Sequence, residues 1–144
     1  RLCHAECMHK PGVVIDPRYL DHDTGRGHPE RPERIGVLID QLQRSDDEYS
    51  SVPARLADAE ELALAHDSAH VERVAATASQ ASYAFDPDTP VGPRSYDTAR
   101  LATGGLLALL DAVIAGEVRN GFALVRPPGH HAERERAMGF CLFN

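Results

Sequence analysis

The chain has 144 residues, 42% of them hydrophobic and 26% charged, the balance of a globular domain rather than a disordered or fibrous chain. A formal net charge of −7 argues against nucleic acid and anionic membrane surfaces as partners, and no apolar run is long enough to span a bilayer. Three cysteines argue against a disulfide scaffold and for a reducing, cytoplasmic setting, while eight histidines and no tryptophan direct attention to imidazole chemistry.

Residues 1–12 read as a loose leader, rich in His and Cys and closed by Pro11-Gly12. Val13-Val14-Ile15 is a β-branched apolar run between turn residues, a buried-strand signal. A long polar loop covers residues 16–31, a length that often carries function. Pro32 opens a helix, and Ile35, Leu38, Ile39 and Leu42 give it one apolar stripe. A short strand is expected over Pro53 to Leu56. Asp58 is the expected N-cap of a helix from Ala59 to Ala65, and Asp67 or Ser68 that of a further helix reaching about Ser79. Residues 85–95, with Pro87, Pro90, Gly92 and Pro93, predict a rigid loop. Ser95 is expected to cap the strongest helix, running to about Ala115. Its apolar residues Leu101, Leu106, Leu107, Leu109, Leu110, Val113 and Ile114 predict heavy burial around its circumference. Gly116 ends it, Asn120-Gly121 turns the chain, and Phe122-Ala123-Leu124-Val125 reads as a central parallel strand. The order predicts an α/β fold with a central, mostly parallel sheet flanked by helices. Ligands in such sheets sit beyond the carboxyl ends of the strands, which directs attention to the segment after Val125.

That segment reads Arg126-Pro127-Pro128-Gly129-His130-His131-Ala132. In a continuing strand two adjacent histidines point to opposite faces; Pro127-Pro128-Gly129 breaks the strand and lets both rings face one pocket. Paired imidazoles can divide proton work, one taking a proton from an attacking water while the other carries charge. Spacing alone also fits two surface histidines.

The stretch NGFALVRPPGHHAERERAMGFCLFN, Asn120 to Asn144, resembles the zinc-dependent histone deacetylase family, in its class II-like and bacterial branch with the acetylpolyamine amidohydrolases. Three further pieces agree and keep the family's order: His28-Pro29-Glu30-Arg31-Pro32-Glu33-Arg34-Ile35, Leu62 to Val74 with His66, and Asp86-Pro87-Asp88-Thr89-Pro90-Val91. The resemblance implies an arginase/deacetylase-like fold and hydrolysis of the acetyl amide of acetyl-lysine or an acetylated polyamine, with zinc as cofactor. It implies His131 as general base and then acid, with His130 tuning its charge. It implies Gly139 and Phe140 as walls of the channel for the lysine stem, Asp88 as a rim carboxylate gripping substrate N–H groups, and Arg34 beside a channel for acetate. The family's zinc ligands are an Asp-x-His pair and a later Asp. This chain contains no Asp-x-His, so it is expected to hold no metal ligands of its own and to be inactive alone. The ligands are then expected downstream of residue 144, with residues 13–144 as the N-terminal part of a single deacetylase domain. The alternative is a non-enzymatic binding or assembly module on the same fold.

Two other histidine groupings are read more modestly. Cys3, His4, Cys7 and His9 lie close together but lack the spacing of a zinc finger. His66 and His70 are four apart, as in a metal-binding helix, yet Asp67 between them looks like a helix cap. His22 and His28 sit in the long loop and are candidates to line the rim, with nothing in the sequence to rank them. Gly104-Gly105 is expected to allow close helix packing.

Overall fold

The computed structural model describes residues 10–44 and 48–144. The Cys3, His4, Cys7 and His9 grouping lies outside the described residues. Strand β1, Gly12–Val14, is the centre of a three-stranded parallel sheet ordered β2-β1-β5, with β2 at Ser50–Ser51 and β5 at Gly121–Ala123. Gly12 stands opposite Ser50 on one side and Gly121 on the other. The α/β class and parallel sheet expected from the sequence are therefore present. The strand expected over Pro53 to Leu56 is not: pairing with β1 occurs at Ser50–Ser51, before that apolar stretch. The run after Gly121 was expected to be central; among the described residues β5 pairs with β1 alone, and Phe122 is 65% exposed.

Helix α1, Glu33–Arg44, lays Ile35 and Ile39 against Tyr19, Leu101 and Ala102. Helix α2, Ala59–Ala63, begins with a capping box: Asp58 accepts from the Glu61 N–H while the Glu61 carboxylate accepts from the Asp58 N–H. Helix α3, Ser68–Ala76, follows Asp67, whose side chain makes no capping bond. It is spent instead on Arg134, 2.6 Å away.

The loop expected over residues 85–95 contains half of a small antiparallel hairpin, β3 (Tyr83–Ala84) with β4 (Pro90–Val91). Helix α4, Ser95–Ile114, has Arg94 rather than Ser95 as N-cap. The Ser95 hydroxyl is engaged elsewhere, accepting from the Gly92 N–H and meeting His22 Nδ1 at 2.7 Å. Only part of α4 is buried. Leu101, Ala102, Leu109 and Ala112 are inside, whereas Leu106 and Leu110 are half exposed and Ile114 is exposed. The burial expected all round this helix is thus confined to one side, the side facing the sheet. At Gly104 a methyl group would overlap the backbone of Arg55 and Ala57, so the expected close packing is real.

The core has three parts. One joins β1 to α4 through Val14, Leu109, Ala112 and Val118; a second lies under α1. The largest packs Leu62, Val71, Val74, Val91 and Ala99 against Ala137, Leu142 and Phe143, and so forms the floor under the segment with the paired histidines. No helix of the described residues is long and apolar enough to cross a membrane.

Candidate active site

The chain leaves β5 with Leu124 N–H bonded to Val14 O, then buries the whole Arg126 side chain. Pro127, Pro128 and Gly129 come next. A side chain at Gly129 would overlap the Phe143 backbone, so only glycine allows this approach. A turn closed by Ala132 N–H on Gly129 O then carries His130 and His131. Both are exposed, with ring centroids 4.3 Å apart and planes at 54°.

Opposite them the chain makes a two-residue turn. Met138 and Cys141 exchange both backbone hydrogen bonds, at 3.1 and 2.9 Å, around Gly139 and Phe140. Both central residues have positive φ, 57° and 71°. This is the type I′ requirement, costless for glycine and of order 1–3 kcal/mol for a bulky residue. Three contacts hold Phe140 there. Its N–H donates to Thr89 Oγ1 at 3.1 Å, its ring meets His28 edge-on at 4.9 Å, and its neighbour Cys141 is tied to the histidine turn. His131 N–H donates to Cys141 Sγ at 3.4 Å, and that thiol donates to Gly139 O. A methyl at Gly139 would stand 3.0 Å from the His131 ring, so the ring lies flush against the turn.

Arg34, Asp88, His130, His131, Gly139 and Phe140, the six residues singled out from the sequence, line one concavity of about 370 Å³ together with Pro128. Asp88 is exposed at its edge. A hydrogen bond with the Asp86 side chain, then burial, holds the Asp88 carboxyl above its ordinary range. Burial opposes ionisation of Asp86, but hydrogen bonds from Thr89, Asp88 and the Gly139 backbone outweigh it and hold its carboxyl low. Arg34 also borders a smaller cavity of about 140 Å³, shared with Glu30, Arg126 and Pro128.

Behind this concavity stand His28, a rim candidate in the sequence, and two residues to which sequence reasoning gave no role, Glu30 and Arg126. His28 Nδ1 lies 2.8 Å from Glu30 O and 3.1 Å from Glu30 N, and its Nε2 lies 3.1 Å from Asp88 O, so it links two loops while touching Phe140. The HPE motif was visible, but nothing in it shows the contact with Asp88, sixty positions on. Glu30 and Arg126, each 1% exposed, form a bidentate pair at 2.9 Å. The only signal for it was an arginine placed between an apolar strand and Pro-Pro-Gly.

His66 and His70 stack at 4.9 Å but do not form a metal pair. His66 Nδ1–H donates to Glu133 O and its Nε2 accepts from Asn144 N–H; His70 Nε2–H donates to Leu142 O. Among the described residues no group of three or more His, Cys, Asp or Glu is placed to hold a metal ion. The zinc implied by the resemblance finds no ligand set among them.

A family model described as "Histone deacetylase domain" matches residues 28–144. The chain is 40% identical over 135 residues to the histone deacetylase-like amidohydrolase of Pseudomonas aeruginosa, covering 87% of this chain and 33% of that one. It is 43% identical over 124 residues to the polyamine deacetylase HDAC10 of Homo sapiens, covering 80% and 18%. The crystal structure of the HDA15 HD domain superposes with a TM-score of 0.86 at 38% identity, covering 94% of this chain and 41% of that one. The chain thus spans a third or less of the length of these two curated relatives.

Proposed function

The chain belongs to the histone deacetylase family, and from that premise we propose that its concavity serves hydrolysis of an acetylated amine, an acetyl-lysine or an acetylpolyamine. The observation that carries the reading is the pair of exposed imidazoles 4.3 Å apart, sharing one concavity with an aromatic wall. The net charge of −7 favours cationic substrates of either kind.

His131 accepts a proton from the attacking water as its oxygen bonds to the acetyl carbon, and returns it to the amine nitrogen as the C–N bond breaks. His130, beside it, moderates the charge on that ring. Phe140 and Gly139 take the aliphatic stem of the substrate, which loses water against the ring. Asp88 at the edge accepts from substrate N–H groups, and Arg34 draws off the acetate anion. Zinc, as the family resemblance has it, would polarise the acetyl carbonyl. The described residues do not fit a metal, and no step here runs through one. With no Asp-x-His pair in its sequence, the 144-residue chain by itself is expected to release no acetate.

The test is acetate release by the complete protein from an acetyl-lysine peptide and, separately, from an acetylated polyamine. Turnover of either one supports the reading and the faster one names the substrate class. No turnover of both contradicts it.

A further inference from the structure

We infer that Glu30 is a positioning residue of this pocket: its buried carboxylate fixes, through Arg126, the backbone that presents His130 and His131, and holds Arg34 at the pocket's side. The inference rests on the deacetylase reading above.

Each of the three nitrogens of the Arg126 guanidinium donates a hydrogen bond. Nε and Nη2 donate to Glu30 Oε1 and Oε2 at 2.9 Å, and Nη1 donates to Tyr19 O at 2.9 Å. Such a fork fixes orientation as well as distance. From Arg126 the chain reaches His130 through two prolines, whose φ is fixed, and through Gly129, pinned against the Phe143 backbone. Little freedom remains between the buried fork and the imidazoles. Glu30 Oε1 also lies 3.7 Å from Arg34 Nη1, one turn further on and itself in the pocket lining. His28 Nδ1 meets the Glu30 backbone at 2.8 Å, and His28 braces Phe140. One residue therefore reaches the dyad, the side cation and the aromatic wall.

His22 Nε2 lies 3.7 Å from the same carboxylate, but it does not share the charge. Burial, then the nearby Arg126 cation, pushes His22 down to about 4, so it is neutral near pH 7. Arg126 is left as the buried counter-ion. A buried ion pair is weak evidence of a gain in stability, since apolar pairs of similar volume often do as well. Its place, four residues before the dyad, points to orientation instead.

The test uses the complete protein, an acetyl-lysine peptide and two variants. Glu30→Gln keeps the volume and one acceptor but removes the charge. Glu30→Gln with Arg126→Gln removes both charges, so no unpaired buried ion is left to unfold the protein. The double variant is expected to melt cooperatively, with kcat down about tenfold or more, KM changed less than about threefold, and the pH profile of kcat displaced. Loss of folded material alone lowers apparent kcat without moving the pH profile. A folded double variant with the wild-type kcat and pH profile overturns the inference while leaving the deacetylase reading intact. A wild-type protein with no turnover removes both.

Discussion

The segment from Arg126 to Asn144 carries the paired histidines and the aromatic wall, and its two ends are anchored by different chemistry. At the start, a charged fork is buried: Arg126 Nε and Nη2 donate to the Glu30 carboxylate and Nη1 donates to Tyr19 O. At the end, two neutral imidazoles hold backbone. His66 bridges Glu133 O and Asn144 N–H at 2.9 and 2.8 Å, and His70 donates to Leu142 O at 2.9 Å. Both rings pack on Phe143, at 5.5 and 5.7 Å. Both ring nitrogens of His66 are spent on backbone groups. The charged anchor thus fixes direction and depends on both partners; the neutral anchor depends on ring-to-backbone hydrogen bonds.

Removing one partner of the charged anchor has the largest effect. Arg126→Met removes the bidentate partner of the buried Glu30 carboxylate and leaves it only the longer approach of the exposed Arg34 at 3.7 Å, and should cost about 3–5 kcal/mol in a denaturant titration of the complete protein. Adding Glu30→Leu should recover most of that loss. A single variant within about 1 kcal/mol of wild type contradicts a dry, paired site.

Acid comes next. His22 titrates at about 4 in the fold, against an ordinary value of 6.5, chiefly through burial, with the Arg126 cation adding to it. Glu30 and Asp23 pull the other way, and His28 adds to the depression. Between those two values the unfolded chain binds more protons. Stability therefore falls as pH drops from 6.5 to 4, by on the order of 3 kcal/mol, and this contribution is flat below. Burial also lowers His70, so the neutral anchor weakens in the same direction. Melting temperatures across this range should show the decline, and His22→Asn should flatten part of it.

The neutral anchor gives the smallest effect. His66→Ala leaves Glu133 O and Asn144 N–H without their partner and should cost about 1–3 kcal/mol by the same titration. A loss as large as that of Arg126→Met would erase the distinction between the two ends.

Much of the fold was legible locally. The stripe of Ile35 and Ile39 gives α1, the Asp58 and Glu61 spacing gives the capping box, and the β-branched run at Val13 gives a strand. Misreadings arose where a side chain was drawn off by tertiary contacts. Ser95 looked like a cap but is taken by His22 and Gly92; Asp67 does stand at the N-cap position of α3, but its side chain is taken by Arg134. Leu106, Leu110 and Ile114 read as core because hydropathy does not tell which side of α4 meets the sheet. In the site, the six lining residues were readable from short motifs. Glu30 with Arg126, and His66 with Asn144, were not, because they pair across 96 and 78 positions with no periodicity to mark them.

The most direct measurement is the turnover number of the complete protein carrying His131→Ala, on the acetylated substrate the wild type prefers, alongside its melting curve. The expected result is a fall of about a hundredfold or more, on the scale of losing a general base, with the melting temperature close to wild type because the ring is exposed. Turnover within a few-fold of wild type, by a protein equally folded, would remove His131 from the chemistry and overturn the proposed mechanism.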